Sequence, residues 1–117
     1  MSSDESLAEK ACWAAACINL CLSLIFSTIT AHNSKLEEPA KKAMTWGISV
    51  HQLAALGFFA LAYKGVPLIP LCLLLFATPI FPGVVYFENL TGNKLPIRIV
   101  PYGGMAHIAF WLVMAFY

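Results

Sequence analysis

Four long apolar stretches dominate the chain, and polar residues gather between them. The stretches cover residues 11–31, 43–63, 66–87 and 97–117, and only the last contains a charged residue, Arg98 near its edge. A helix of about 21 residues is about 31 Å long, which matches the hydrocarbon core of a bilayer, about 30 Å thick. Because lipid cannot satisfy free backbone N–H and C=O groups, each stretch is predicted to be a transmembrane helix.

The links between these stretches are short and carry turn and helix-start signals. Lys64-Gly65 joins the second and third stretches, and two residues allow only a tight turn between antiparallel helices. Pro39 and Pro96 suit the first turns of the second and fourth helices, where the missing N–H is not needed. Pro79 and Pro82 lie inside the third stretch, where kinks are expected.

The pattern therefore predicts an all-α integral membrane protein with four transmembrane helices in an antiparallel bundle. The bundle covers residues 11–117, and a polar N-terminal tail covers residues 1–10. Composition agrees, since the chain is 60% hydrophobic and 11% charged, whereas soluble domains are about 45–50% apolar and about 25% charged. A net charge of +1 argues against nucleic-acid binding, which needs a concentrated basic face.

Lysine and arginine are distributed unevenly between the two ends of the predicted bundle. The end formed by connections 32–42 and 88–96 carries five of them: Lys35, Lys41, Lys42, Lys94 and Arg98. The opposite end carries Lys10 and Lys64. Positive residues favour the inner side of a membrane, so these connections are expected to face the cytoplasm or the mitochondrial matrix. Both termini then lie on the other side.

Aromatic residues mark the ends of the four stretches. These residues are Trp13, Trp46, Tyr63, Tyr86, Tyr102 and Tyr117. Trp and Tyr concentrate at membrane–water interfaces because their amphipathic rings suit the headgroup region. We interpret them as an interfacial belt that supports the predicted spans and carries no chemistry.

Several polar and small residues occur inside the predicted spans, where they are expected to join helices. Polar side chains hydrogen-bond between helices in lipid, and glycine lets two backbones approach closely. We predict helix-packing contacts at seven positions: Asn19, His51, Gln52, Gly83, Gly103, Gly104 and His107.

The two intramembrane histidines leave three interpretations open. His51 and His107 fall near the middle of their stretches, and an ionisable group at that depth is a functional candidate. The main interpretation is a neutral histidine that is hydrogen-bonded across a helix interface. Two histidines on facing helices could instead ligate a haem, and a proton relay is the third interpretation.

Catalytic chemistry is not indicated by any motif. The sequence shows no Ser-His-Asp set, Gly-rich phosphate loop or paired carboxylates, and the first stretch lacks the acidic residue of small proton-coupled multidrug exporters. The four cysteines lack C-x-x-C spacing and are interpreted as packing residues: Cys12, Cys17, Cys21 and Cys72. We therefore predict no enzymatic activity, no metal site and no cofactor.

Three motifs, taken in order and spacing, resemble a known family. They are Val50-His51-Gln52-Leu53-Ala54-Ala55-Leu56 after Ala31-His32, Phe81-Pro82-Gly83-Val84-Val85-Tyr86 with Leu90-Thr91-Gly92, and Val100-Pro101-Tyr102-Gly103-Gly104. Together they resemble the small membrane proteins called transmembrane protein 256-like, related to the bacterial "domain of unknown function 423" family. The resemblance covers residues 12–117.

The resemblance implies a four-helix membrane fold without established enzymatic activity, and eukaryotic members look mitochondrial. We therefore expect a non-catalytic accessory subunit of a respiratory-chain complex in the mitochondrial inner membrane, with other membrane subunits and lipids as partners. Connections 32–42 and 88–96 would face the matrix, and both termini the intermembrane space. Two alternatives remain: a small homo-oligomeric transporter or channel with a path past Asn19, His51 and His107, and a haem- or quinone-binding electron carrier.

Overall fold

The computed structural model describes residues 6–117 and shows a bundle built from helices alone over that range. The elements are α1 (Leu7–His32), α2 (Glu38–Tyr63), α3 (Leu68–Thr78), a π-helical segment (Pro79–Val84), α4 (Val85–Thr91) and α5 (Val100–Met114). Leu68–Thr91 runs as one interrupted rod, which we call the broken helix. The predicted all-α fold with four helices is confirmed, and α5 is the fourth.

Helix α1 begins earlier than the apolar pattern predicts. Ser6 is its N-cap, and the Ser6 hydroxyl accepts a hydrogen bond from the Glu9 backbone N–H at 3.1 Å. Ser-Leu-Ala-Glu is a capping-box sequence that starts a helix regardless of hydropathy. Residues 7–10, predicted as tail, are therefore helical, and residues 1–5 of that tail lie outside the described range.

Helix α2 also begins before its apolar stretch, at Glu38, with Pro39 in the first turn as predicted. Like α1, it has 26 residues and is about 39 Å long. Both helices therefore exceed the hydrocarbon thickness by about 9 Å. Their polar first turns can lie in the headgroup region.

The link between α2 and α3 is the tight turn that the sequence predicts. Gly65 has a φ of 78° and Val66 a φ of 58°. The Val66 N–H donates to the Leu61 carbonyl at 2.8 Å, which closes the end of α2. Positive φ is unusual for a β-branched residue, so the turn imposes this conformation on Val66.

The predicted kink in the third span is present as the π-helical segment. Pro79 and Pro82 each remove one N–H from the α-helical ladder. At Phe81 the backbone leaves the helical region, with φ −106° and ψ 43°. Hydrogen bonds of the π type reach one residue further along the chain, which lets the rod continue past the prolines.

The fourth predicted span, 97–117, is a helix only over Val100–Met114. Pro101, rather than Pro96, occupies its first turn. Pro101 cannot donate to the carbonyl four residues earlier, so regular helix is not extended back toward residue 97. At about 22 Å, α5 is shorter than the bilayer core. The three other rods, Leu7–His32, Glu38–Tyr63 and Leu68–Thr91, are long and apolar enough to cross a membrane.

The rods are arranged with α2 between α1 and the broken helix, while α5 packs mainly on α3 and the π-helical segment. One core cluster lies near the 64–65 turn and contains Cys12, Ala16, Ala54, Phe58, Leu61, Ala62, Leu74, Phe110 and Met114. A second cluster lies toward the other end and contains Met44, Ile48 and Tyr86. Small residues such as Ala16 and Ala54 bring α1 and α2 close together.

The two ends of the bundle carry the connections that the topology predicts. The Lys64 Nζ donates to the Tyr117 carbonyl at 2.9 Å, which ties the 64–65 turn to the C-terminus. At the opposite end, Leu36 and Leu90 both pack on the second cluster. The two lysine-rich connections therefore lie at the same end.

Adjacent glycines in α5 provide a matched test of the close approach to the π-helical segment. A Cβ at Gly103 would lie 2.7 Å from Ile80 Cγ2 and 2.9 Å from the Phe81 backbone N. A Cβ at Gly104 would meet nothing nearer than Phe81 Cδ2, at 3.6 Å. Gly103→Ala is expected to lower the free energy of unfolding by about 1–3 kcal/mol. Gly104→Ala should be neutral or stabilising, since alanine favours helix by up to about 1 kcal/mol.

The measurement is equilibrium unfolding of each purified variant in detergent micelles, followed by circular dichroism. Equal stability of the two variants would contradict the packing of α5 described above.

Candidate functional site

A chain of buried hydrogen bonds joins three of the rods near the middle of the bundle. His51 in α2 is 5% exposed. Its Nδ1 lies 3.0 Å from the Tyr86 hydroxyl of α4, and its Nε2 lies 2.8 Å from Asn19 Oδ1 of α1. Both ring nitrogens are therefore used inside the protein.

The direction of these hydrogen bonds follows from Asn19. The Asn19 Nδ2 donates to the Ala15 carbonyl at 2.7 Å, which turns Oδ1 toward His51. An amide oxygen only accepts, so His51 Nε2 carries the proton and donates. In a neutral imidazole the other nitrogen accepts, so the Tyr86 O–H donates to His51 Nδ1. The chain thus runs from Tyr86 through His51 and Asn19 to the Ala15 carbonyl.

Packing holds the Tyr86 ring in this arrangement. Phe26 of α1 stacks on it with ring centroids 4.0 Å apart. On its other flank, a Cβ added at Gly47 would lie 3.3 Å from Tyr86 Cε1 and 3.1 Å from Val85 Cγ1. The absence of a side chain at Gly47 therefore lets α4 approach α2 closely. Tyr86 was predicted to be an interfacial aromatic, but it is 5% exposed and hydrogen-bonded.

The hydrogen-bonded residues line one side of a cleft of about 700 Å³ between α1 and the broken helix, with α2 behind it. Its lining comes from all three rods: Ala15, Asn19, Leu22, Phe26, His51, Phe58, Leu75, Thr78, Pro79, Pro82, Gly83, Tyr86, Phe87, Leu90 and Thr91. The cleft is open on one side. Its two rims belong to α1 and the broken helix, both of which are long and apolar enough to cross a membrane.

Gly83 lies on the wall of this cleft rather than in a helix contact. A Cβ added there would meet only the Thr78 carbonyl oxygen, at 4.0 Å. Within residues 6–117 no other helix lies within 4 Å of a Cβ built at Gly83, and its role in helix packing stays a prediction. Pro79 and Pro82, the two prolines of the segment, line the same wall.

The remaining predicted packing residues have different environments. Gly103 is in tight contact with the π-helical segment, and Gly104 has ordinary contact with Phe81. Gln52 is half-buried, and within residues 6–117 its side chain forms no hydrogen bond with the protein. His107 is 7% exposed, and in the described range its ring nitrogens meet the backbone of Ala77 without ideal hydrogen-bond geometry and no polar side chain. Its ring stands edge-on to Phe81, with centroids 6.4 Å apart.

These environments decide which chemistry the histidines can support. Ligation of a metal or haem iron by His51 would require loss of one hydrogen bond, to Tyr86 or to Asn19. His107 does not line the cleft that contains Asn19 and His51. In residues 6–117 no three His, Cys, Asp or Glu side chains converge in a way that could hold a metal ion.

Comparison with known proteins adds no assignment. No family model matches the chain, and no solved structure matches it.

The hydrogen-bond chain predicts an energetic coupling between His51 and Tyr86. Tyr86→Phe keeps the ring stack on Phe26 and removes only the hydroxyl. It is expected to cost about 0.5–1.5 kcal/mol, the usual range for interhelical hydrogen bonds in membrane proteins. In a His51→Phe background the same change should cost nearly nothing, because the acceptor is gone.

Unfolding free energies of the two single variants and the double variant give the coupling energy. Tyr102→Phe is the control, since Tyr102 is 59% exposed. The hydrogen bond would be disproved by a Tyr86→Phe cost that is the same in both backgrounds.

Proposed function

We propose that this chain is a non-catalytic accessory subunit of a larger membrane assembly. The observation that carries the proposal is the exposure of α1. In the most apolar part of this helix, only 17% is buried against the rest of the protein. This helix packs mainly on α2 and leaves its other sides uncovered. Lipid or another subunit must cover them.

The composition of the uncovered side of α1 favours a neighbouring helix. Beside large apolar residues such as Leu24, it includes the small residues Ala14, Cys17, Cys21 and Thr28, which recur at helical spacing and are exposed. Small residues at a lipid-facing position let another helix come close, which is the usual way that membrane helices associate. The Thr28 hydroxyl donates to the Leu24 carbonyl at 3.0 Å, so it offers a neighbour little polarity.

The buried polar residues support a structural role rather than a catalytic one. The Asn19, His51 and Tyr86 side chains bond to one another and to the Ala15 carbonyl. Such a network joins α1, α2 and α4 and fixes their register. A transporter path past Asn19, His51 and His107 gains no support, because His107 lies apart from the cleft that the other two line.

The location we propose is the mitochondrial inner membrane, within a respiratory-chain complex. It rests on the resemblance of the motifs around His51, Gly83 and Gly103 to the transmembrane protein 256-like family. The lysine-rich end, with connections 32–42 and 88–96, would face the matrix. Both termini would face the intermembrane space.

A bulky residue on the uncovered side of α1 tests the proposed assembly. Cys17→Phe and Cys21→Phe are expected to release the chain from its complex, because the added rings separate the two helices. Cys72→Phe is the matched control, since Cys72 is also exposed but lies in α3. The measurement is native electrophoresis of mitochondrial membranes in mild detergent, with mass spectrometry of the band that contains the chain.

Three results would count against the proposal. They are migration of the wild-type chain as a lone small oligomer, no change with either α1 variant, and equal release by Cys72→Phe.

Cysteine accessibility tests the proposed orientation. Lys35 and Tyr63 lie at opposite ends of the bundle, and both are exposed. In mitochondria stripped of their outer membrane, a membrane-impermeant maleimide should label Tyr63→Cys and leave Lys35→Cys unlabelled until detergent is added. The reverse labelling pattern would show that the orientation is opposite to the one proposed. Absence of the chain from mitochondria would rule out the proposed location.

A further inference from the structure

The cleft between α1 and the broken helix has an almost wholly apolar surface. The Thr78 hydroxyl donates to the Leu74 carbonyl at 2.7 Å, and the Thr91 hydroxyl donates to the Phe87 carbonyl at 2.6 Å. Both hydroxyls are thus turned back onto their own helix. The His51 nitrogens are occupied in the same way by other residues of the wall. The cleft therefore suits a hydrocarbon occupant rather than a polar one.

The size of the cleft selects a slender molecule. From Leu75 to Thr91 its wall runs about 24 Å along the broken helix, most of the hydrocarbon thickness. The cleft measures about 700 Å³, within the range of about 300–1,000 Å³ that small-molecule sites have. A single extended chain therefore fits a cleft of this size.

The charges at one end of the cleft indicate the headgroup. Leu90 and Thr91 line the end at which the bundle carries five basic residues (Lys35, Lys41, Lys42, Lys94 and Arg98) and three acidic ones (Glu37, Glu38 and Glu88), so this end has a net positive charge. The Glu88 carboxylate accepts a hydrogen bond from the Leu95 N–H at 2.9 Å. That bond fixes the loop containing Lys94 at the end of the broken helix. Basic residues in this position attract anionic headgroups by about 1 kcal/mol each.

We propose that this cleft binds one acyl chain of an anionic bilayer phospholipid, with the phosphate at the Lys94 end. The prolines open the wall, and Gly83 keeps it open, since no side-chain atom lies within 4 Å of an added Cβ there. All of the residues that line this site belong to this chain, so lipid binding there does not require a particular partner subunit. It assigns a lipid-binding role to the π-helical segment.

Filling the cleft tests the acyl chain. Gly83→Leu places four carbons in the open space, and Leu22→Trp narrows the cleft from the α1 side without altering the broken helix. The purified chain is reconstituted in bilayers of phosphatidylcholine and phosphatidylglycerol, extracted in mild detergent, and examined by native mass spectrometry. Each variant is expected to lose the retained phosphatidylglycerol several-fold. Ala14→Leu is the control, because Ala14 is exposed on α1 and does not line the cleft.

Charge reversal tests the headgroup separately. Lys94→Glu should lower the preference for phosphatidylglycerol over phosphatidylcholine several-fold while one lipid remains bound. The proposal is overturned if Leu22→Trp retains as much lipid as Ala14→Leu. It is equally overturned if Gly83→Leu retains as much phosphatidylglycerol as Ala14→Leu, or if Lys94→Glu leaves the lipid preference intact.

Discussion

Every backbone N–H and C=O group in the hydrocarbon must find a partner inside the protein, and the rest of this structure depends on how the helices meet that requirement. Helices α1 and α2 meet it with 26-residue runs of regular helix. The broken helix contains two prolines that interrupt the α ladder, and its π-helical segment, Pro79–Val84, carries the chain past them. On one side, α5 covers the break at Ile80 and Phe81.

The π-helical segment determines what each side of the broken helix contacts. On one side, Gly103 brings α5 against the backbone at Phe81, closer than any side chain would allow. On the other side, the bend separates the rod from α1 and opens the cleft. A π turn also takes in an extra residue, which rotates all later side chains by about 100° relative to a continuous α-helix. Tyr86 follows the segment and points inward to His51.

The bonds of His51 contribute specificity more than stability. Interhelical hydrogen bonds in membrane proteins average about 0.6 kcal/mol, since polar groups find other partners in the unfolded state too. The network nevertheless favours one alignment of the three helices along their axes. Asn19, His51 and Tyr86 meet only when α1, α2 and α4 keep their present axial positions relative to one another. His107 has no such partner. In the described range its ring lies beside the Phe81 ring and the Ala77 backbone rather than beside a hydrogen-bonding side chain.

The sequence by itself determined the membrane class, the four helices, the tight turn at Gly65, the kink at the prolines and the gathering of lysines at one end. These properties follow from hydropathy, length and local backbone chemistry. It also marked Asn19 and His51 as helix-joining residues, since buried polar groups need partners. Only the tertiary structure decided that Tyr86 is that partner, that Gly83 faces a cleft, and that α5 is short. These depend on how the break rotates and bends one rod against its neighbours, which no local pattern specifies.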